Sequence, residues 1–208
     1  MKVLALELSS PRGSIAWREG ETDSFSTVFP NDRKHSGAFF EQLQSCLARF
    51  GKADRIVVGL GPGSYAGTRI AIATALGLQA AAQAELIGLP SLCAMQTEAG
   101  EYVVIGDARR QFFFFARVLR RRCVDGPSLF TREALLDRLA TIKFPIYATE
   151  PLTDIPAAVV TYPSAFVLAQ IGARHPDGTN HEPLQPIYLR EPHITAPRLK
   201  VQSFSARK

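Results

Sequence analysis

Apolar positions change their spacing several times along the chain, and each change predicts an element. Residues 2–8 form a mostly apolar run, Val3-Leu4-Ala5-Leu6-Glu7-Leu8, predicted as a strand and closed by the turn Ser9-Ser10-Pro11-Arg12-Gly13. Short strands at 14–18 and 24–29, separated by Glu19-Gly20-Glu21, complete a meander that Pro30-Asn31-Asp32 ends. From Ser36, a predicted N-cap, Phe39, Leu43, Leu47 and Phe50 recur at steps of four, four and three, which is one apolar face of a helix ending at Gly51. A strand at 55–60 runs into Gly61-Pro62-Gly63-Ser64-Tyr65-Ala66-Gly67, and an Ala-rich helix follows, ending before Ile87-Gly88-Leu89-Pro90.

Further along, 91–99 reads as a short helix, 102–105 and 111–119 as strands flanking Gly106-Asp107-Ala108-Arg109-Arg110, 131–139 as a capped helix, 144–149 as a strand and 163–171 as a last helix. The run Phe112 to Phe115 cannot face one side of a strand, because side chains alternate, so a central strand covered on both faces is expected. The tail after Gly172 holds several prolines and a compact Pro186-Ile187-Tyr188-Leu189-Arg190 element. No internal repeat or flexible linker divides the chain at the level of sequence. A meander followed by alternating strands and helices predicts an α/β fold of mixed sheets covered by helices.

With 208 residues and 46% hydrophobic side chains, the chain can bury a sizeable core but is short for two full catalytic domains. The net charge of +5, carried mainly by arginine, permits an RNA or acidic-protein partner without demanding one. Cys46, Cys93 and Cys123 are widely spaced, which suggests neither a disulfide framework nor structural zinc. The acid at Glu7 interrupts the first apolar run too early for a signal peptide, and 70–84 contains Thr74, Gln79 and Gln83 and falls short of a membrane span, so a cytoplasmic protein with no membrane contact is expected.

Candidate chemistry is sparse. His35, His175, His181 and His193 lack paired spacing for a catalytic zinc, so no metal is expected. Ser64 sits at a strand-to-helix junction, but its surroundings are not a nucleophile elbow, and helix capping is its better role. The same junction lacks the Gly-Lys-Ser/Thr of a P-loop and the glycine pattern of a dinucleotide site. Glu7 and Asp107 are the one pair of acids whose placement invites a magnesium or hydrolytic role, with ordinary strand-end turns as the alternative. Arg109-Arg110 and Arg120-Arg121-Arg122 bracket the phenylalanine strand, and Arg198, Lys200, Arg207 and Lys208 lie in the tail; these could meet RNA phosphate or simply face water. Ala73, Gly77 and Ala81 recur every four residues, which lets another backbone approach closely, either within the chain's own fold or from a partner.

Leu6-Glu7-Leu8-Ser9-Ser10, His35, 61–70, Ile87-Gly88-Leu89-Pro90-Ser91-Leu92, Gly106-Asp107-Ala108-Arg109 and Pro186-Ile187-Tyr188-Leu189-Arg190 together resemble the TsaB (YeaZ) family over nearly the whole chain. The resemblance implies an actin-like (ASKHA) ATPase fold of two related lobes, the second reduced, divided here as 1–98 and 99–208. It implies no catalytic residues on this chain. The expected role is that of a scaffold and activator, pairing with a TsaD-like catalytic subunit that transfers threonylcarbamoyl to N6 of adenosine 37 in tRNAs reading codons that begin with A. A TsaE-like ATPase joins the pair, ATP and magnesium sit on the partner subunits with no cofactor on this chain, tRNA is met through the complex, and the chain homodimerises when alone. The implied interface comprises His35, Phe39, Leu43, Gly61, Pro62, Gly63, Ser64, Tyr65, Gly67, Arg69, Ala73, Gly77 and Ala81, with Glu7, Ser9 and Asp107 as remnants of a nucleotide site. Glu7 and Leu8 depart from the Asp and Thr usual there, and Tyr65 and Ala66 from Phe and Thr. The competing classes are a small-molecule kinase or ATPase of the same superfamily, a metallopeptidase, and a purely RNA-binding module.

Overall fold

A computed structural model describes residues 1–31, 37–153, 155–176 and 184–189. The N-terminal meander is β1 (Lys2–Glu7), β2 (Arg12–Glu19) and β3 (Thr22–Pro30), followed by α1 (Gly37–Phe50), β4 (Arg55–Gly59), α2 (Tyr65–Ala82) and β5 (Glu85–Leu89). These strands form one five-stranded sheet in the order β3-β2-β1-β4-β5, antiparallel through the meander and parallel from β1 to β5. A 3-10 turn, Ser91–Ala94, leads to β6 (Glu101–Asp107), β7 (Phe112–Leu119), β8 (Arg122–Thr131), α3 (Arg132–Leu139), β9 (Ile146–Ala148), β10 (Val159–Val160) and α4 (Ala165–Ala173). The second sheet is ordered β10-β9-β6-β7-β8. Read from its other edge, it repeats the first strand for strand: a three-stranded meander whose first member pairs in parallel with the strand that follows the helix. The repeat is invisible in the sequence and plain in the topology, and it gives the expected α/β fold of two related lobes.

The central strands are buried on both faces, so they read as continuous apolar runs rather than as alternation. Leu4 and Leu6 of β1, Ile15 and Trp17 of β2, and Ile56 and Val58 of β4 face α1 and α2 and make the larger core with Phe39, Leu43, Ala71, Ile72 and Ala75. The intervening Val3, Ala5, Ala16 and Val57 face the opposite way, against Ala165, Val167, Leu168 and Ala169 of α4. Thus α4, which a division at 98/99 assigns to the second lobe, packs on the first sheet. In the second sheet, Val103 and Ile105 meet Leu135 and Leu139 of α3, while Tyr102 and Val104 meet Leu92, Cys93 and Met95 of the connecting turn.

The phenylalanine run behaves as strand geometry requires. β7 lies between β6 and β8; Phe114 joins the core on one face, Phe113 and Phe115 join the core on the other, and only Phe112, at the strand's start, is open to solvent. The expected helix at 91–99 is only the short turn at Ser91–Ala94, and three strands, β5, β8 and β10, lie where none is expected. β8 contains Asp125-Gly126-Pro127 and is an edge strand with register shifts, where such residues are tolerated.

Candidate docking face and interlobe cleft

Between the lobes lies a cleft of about 500 Å³, lined by Ser9, Ser64 and Thr68 from the first lobe, Asp107 and Arg109 from the second, and Ile187 and Tyr188 from the C-terminal segment. At its edge begins α2. Ser64 caps that helix, its hydroxyl accepting from the Gly67 N–H at 3.2 Å, as the sequence predicts. The Ser64 N–H in turn donates to Ser9 O at 2.6 Å, so the helix start is held by the β1–β2 turn. Two glycines permit this closeness: a Cβ at Gly63 would sit 2.0 Å from Ser9 O, and one at Gly67 2.1 Å from Leu8 O.

From that anchored start, α2 presents two unlike faces. Gly67, Thr68, Ala71, Ile72 and Ala75 are buried against the sheet. Tyr65, Ala66, Arg69, Ala73, Leu76, Gly77, Ala80 and Ala81 are exposed, Tyr65 at 48% and Leu76 at 46%. The helix is therefore small and apolar on the side that no other part of the described chain covers, and a Cβ at Gly77 would meet nothing within 4 Å. The Ala73-Gly77-Ala81 spacing is not spent on packing within the subunit. Tyr65 is braced at the top of this face, where Arg69 donates to its hydroxyl at 2.5 Å and lays its guanidinium 4.5 Å from the ring centroid.

Other expected interface residues fall elsewhere. Phe39 and Leu43 are 2% and 5% exposed and belong to the chain's own core, because the apolar stripe of α1 is what anchors it to the sheet; the large exposed side chain on that helix is Phe40. Gly61, Pro62 and Gly67 are buried and shape the loop, while Gly63 is exposed and Ser64 half-buried. His35 and the predicted cap Ser36 lie outside the described residues, as do Arg190 and the basic tail.

Glu7 and Asp107 are not brought together as a working pair. Glu7 is fully buried at the end of β1, its Oε1 accepting the Ser9 N–H at 2.6 Å, and it fits only because Gly59 has no side chain: a Cβ there would lie 1.9 Å from Oε2. Burial pushes its pKa above 4.5, opposed in part by the Ser9 hydroxyl and N–H and by the Ser91 hydroxyl. Asp107 lines the cleft, but its carboxylate is taken up by Arg109, through the backbone N–H at 2.6 Å and the guanidinium at 3.1 Å. Leu8 turns into the first-lobe core and offers no hydroxyl. This donor set does not fit a magnesium nucleotide: one acid is sealed away from the cleft, and the other is ion-paired to Arg109. Among the described residues no three His, Cys, Asp or Glu side chains gather as metal ligands.

The arginine runs also divide. Arg120 and Arg121 form the left-handed two-residue turn between β7 and β8, and Arg121 reaches back to Met95 O and Thr97 O at 2.6 and 2.5 Å, so it is a structural tie and not a free cation for RNA. Among the described residues no helix is long and apolar enough to cross a membrane.

A family model described as TsaD, tRNA N6-adenosine threonylcarbamoyltransferase, matches residues 29–130. The chain is 30% identical over 100 residues to the tRNA threonylcarbamoyladenosine biosynthesis protein TsaB of Escherichia coli K12, a match covering 46% of this chain and 42% of that protein, less than half of either. Two solved structures share the fold. One is a protein with similarity to peptidase YEAZ from Pseudomonas aeruginosa, with a TM-score of 0.68 and 21% identity over 91% of this chain and 99% of that one. The other is YeaZ from Pseudomonas aeruginosa, with a TM-score of 0.64 and 19% identity over 82% and 90%. The fold they have in common with this chain is the α/β fold of mixed sheets described above.

Proposed function

We propose, proceeding from the TsaB/YeaZ family that these matches support, that this chain is the non-catalytic docking subunit of a tRNA threonylcarbamoyladenosine machinery. It pairs with a TsaD-type subunit through the exposed face of α2, and that partner transfers the threonylcarbamoyl group to N6 of adenosine 37. The observation that carries this reading is the uncovered face of α2: a helix fixed at its start and along one side, with Tyr65, Ala73, Leu76 and Gly77 turned outward. Small residues at helical spacing allow a second helix to approach to backbone contact, and Leu76 and Tyr65 supply apolar anchors beside them.

The sealed Glu7 and the Arg109-paired Asp107 support a division of labour in which ATP and magnesium belong to the partners, a TsaD-type subunit and a TsaE-type ATPase, in the cytoplasm. tRNA is engaged through the complex. The same face pairs two copies of the chain when the catalytic subunit is absent.

Reconstitution tests this. The chain mixed with a TsaD-type subunit, a TsaE-type ATPase, ATP, threonylcarbamoyl adenylate and tRNA should yield modified adenosine. Omission of the chain should abolish the yield. Modification by this chain without the TsaD-type subunit, or magnesium-dependent ATP turnover by the chain alone, overturns the reading in favour of an enzyme.

A further inference from the structure

The Pro186-Ile187-Tyr188-Leu189 element, prominent in the sequence, has no part in the function proposed so far. It lines the interlobe cleft, and with Leu184 just before it the segment touches both lobes. Leu184 packs on the first-lobe core, its Cδ2 filling the space that a side chain at Gly88 would need, 2.6 Å from an ideal Cβ there. The Ile187 N–H donates to Leu60 O at 2.8 Å, at the point where β4 gives way to the glycine loop. Tyr188 packs its ring on that of Tyr65, with centroids 5.4 Å apart and planes inclined by 31°. Leu189 packs against the second-lobe core that contains Leu92, Met95, Tyr102 and Phe114.

A six-residue segment without helix or strand thus joins both cores, the loop that starts α2, and the aromatic ring at the top of its exposed face. Leu60 is held on its other side by β5, its N–H donating to Leu89 O at 2.8 Å, and the loop is tied to the connecting turn by the Ser91 N–H to Gly61 O at 2.8 Å. The clasp therefore seats on the start of the glycine loop, which is itself tied to the turn leading into the second lobe.

We propose that residues 184–189 are an interlobe clasp that fixes the closure of the cleft and holds Tyr65 in position on the docking face, so that clasp seating and partner binding at α2 stabilise one another. The coupling part rests on the docking reading above; the clasp itself does not. Linkage makes the effect reciprocal: whatever loosens the clasp weakens the partner, and the bound partner tightens the clasp. The Tyr65–Tyr188 contact is the element shared by both, and Arg69 also packs its guanidinium on the Tyr65 ring.

Hydrogen exchange read by mass spectrometry on the full chain, with and without a TsaD-type subunit, tests both parts in Tyr188→Ala, Leu184→Ala and Tyr188→Phe variants. Circular dichroism reports that each variant folds. Both alanine variants should speed exchange over residues 60–68 and at Ser91 while β1 is unchanged, Tyr188→Ala by about three- to tenfold, the loss of one aromatic pair being of that size. Tyr188→Ala should weaken partner affinity by a similar factor, with Tyr188→Phe matching the wild type in both readings. Saturating partner should slow exchange of the Ile187 amide. Unchanged exchange over 60–68 in both alanine variants overturns the clasp. An Ile187 amide indifferent to the partner, or affinity untouched by Tyr188→Ala, overturns the coupling. A wild-type chain that binds no TsaD-type subunit overturns the docking reading and the coupling with it, and the exchange of the isolated variants still decides the clasp.

Discussion

Gly77 allows the docking face to be tested with opposite signs in one residue. It lies in the interior of α2, is exposed, and has no atom within 4 Å of where a Cβ would stand. A glycine in that setting costs the helix about 1 kcal/mol relative to alanine, because it loses more backbone freedom on folding and contributes no contact. Gly77→Ala should therefore stabilise the isolated chain by about that amount, which in a protein of this size is a rise of roughly 2–4 °C in melting temperature. Gly77→Leu should also leave the isolated fold intact, since its side chain enters open space. In the complex the sign reverses. A leucine wedged between two closely packed helices costs about 1–3 kcal/mol, or about 5- to 150-fold in affinity. Differential scanning calorimetry of the dilute chain and isothermal titration with a TsaD-type subunit give the two readings. A Gly77→Ala chain that melts lower than wild type refutes the open placement of this helix face. A Gly77→Leu chain that binds its partner as well as wild type does refutes the use of that face for docking.

Glu7→Gln should flatten part of the pH profile of stability. The folded carboxyl's pKa is raised above 4.5 by burial, so the folded state holds its proton more tightly than the unfolded state, and stability from this group falls as pH rises through 4.5 toward the folded value. Urea denaturation from pH 3 to 8 should show the Gln variant gaining on wild type as pH rises, and a gap that widens toward acid contradicts the burial argument. In the phenylalanine run, Phe115→Ala should cost about 3–5 kcal/mol by opening a cavity between β7 and α3, whereas Phe112→Ala should cost less than about 1 kcal/mol. Equal losses in denaturant midpoint would mean that the run does not alternate between two faces.

Long apolar periodicities were the most readable part of the sequence. The stripe Phe39-Leu43-Leu47-Phe50 gave α1 within a residue or two, the Ala-rich run gave α2 though not its end at Ala82, and Ser64 gave the cap, because each is a local preference that tertiary packing here reinforces. β5 and β8 escaped for the opposite reason. Glu85–Leu89 is a five-residue segment interrupted by Gly88, whose strand character comes from pairing with β4, and Arg122–Thr131 carries turn residues that only an edge position accommodates. The site was legible in outline. The alanine and glycine spacing marked the helix, but which of its sides faces outward depends on where the sheet lies. For the same reason Phe39 and Leu43, conspicuous as apolar residues, are buried as anchors of α1 in the chain's own core. The Pro186–Leu189 element was visible as a compact motif, but its two-lobe attachment rests on residues far away in the chain, Leu60 in the first lobe and Tyr102 and Phe114 in the second.

The return of α4 to the first sheet makes the polypeptide interleaved, not modular. A chain cut after the first lobe would lack the helix that shields Val3, Ala5, Ala16 and Val57, and would also lose the Gly172 and His175 carbonyls that receive the buried Arg55 guanidinium at 2.6 and 2.9 Å. Such a fragment would display a bare hydrophobic sheet face, and Arg55 would keep its ion pair with Glu85 but lose both carbonyl acceptors. Ribosomal synthesis therefore cannot finish the amino-terminal half before most of the carboxy-terminal half has emerged, and neither half is a ready-made part for grafting onto another protein.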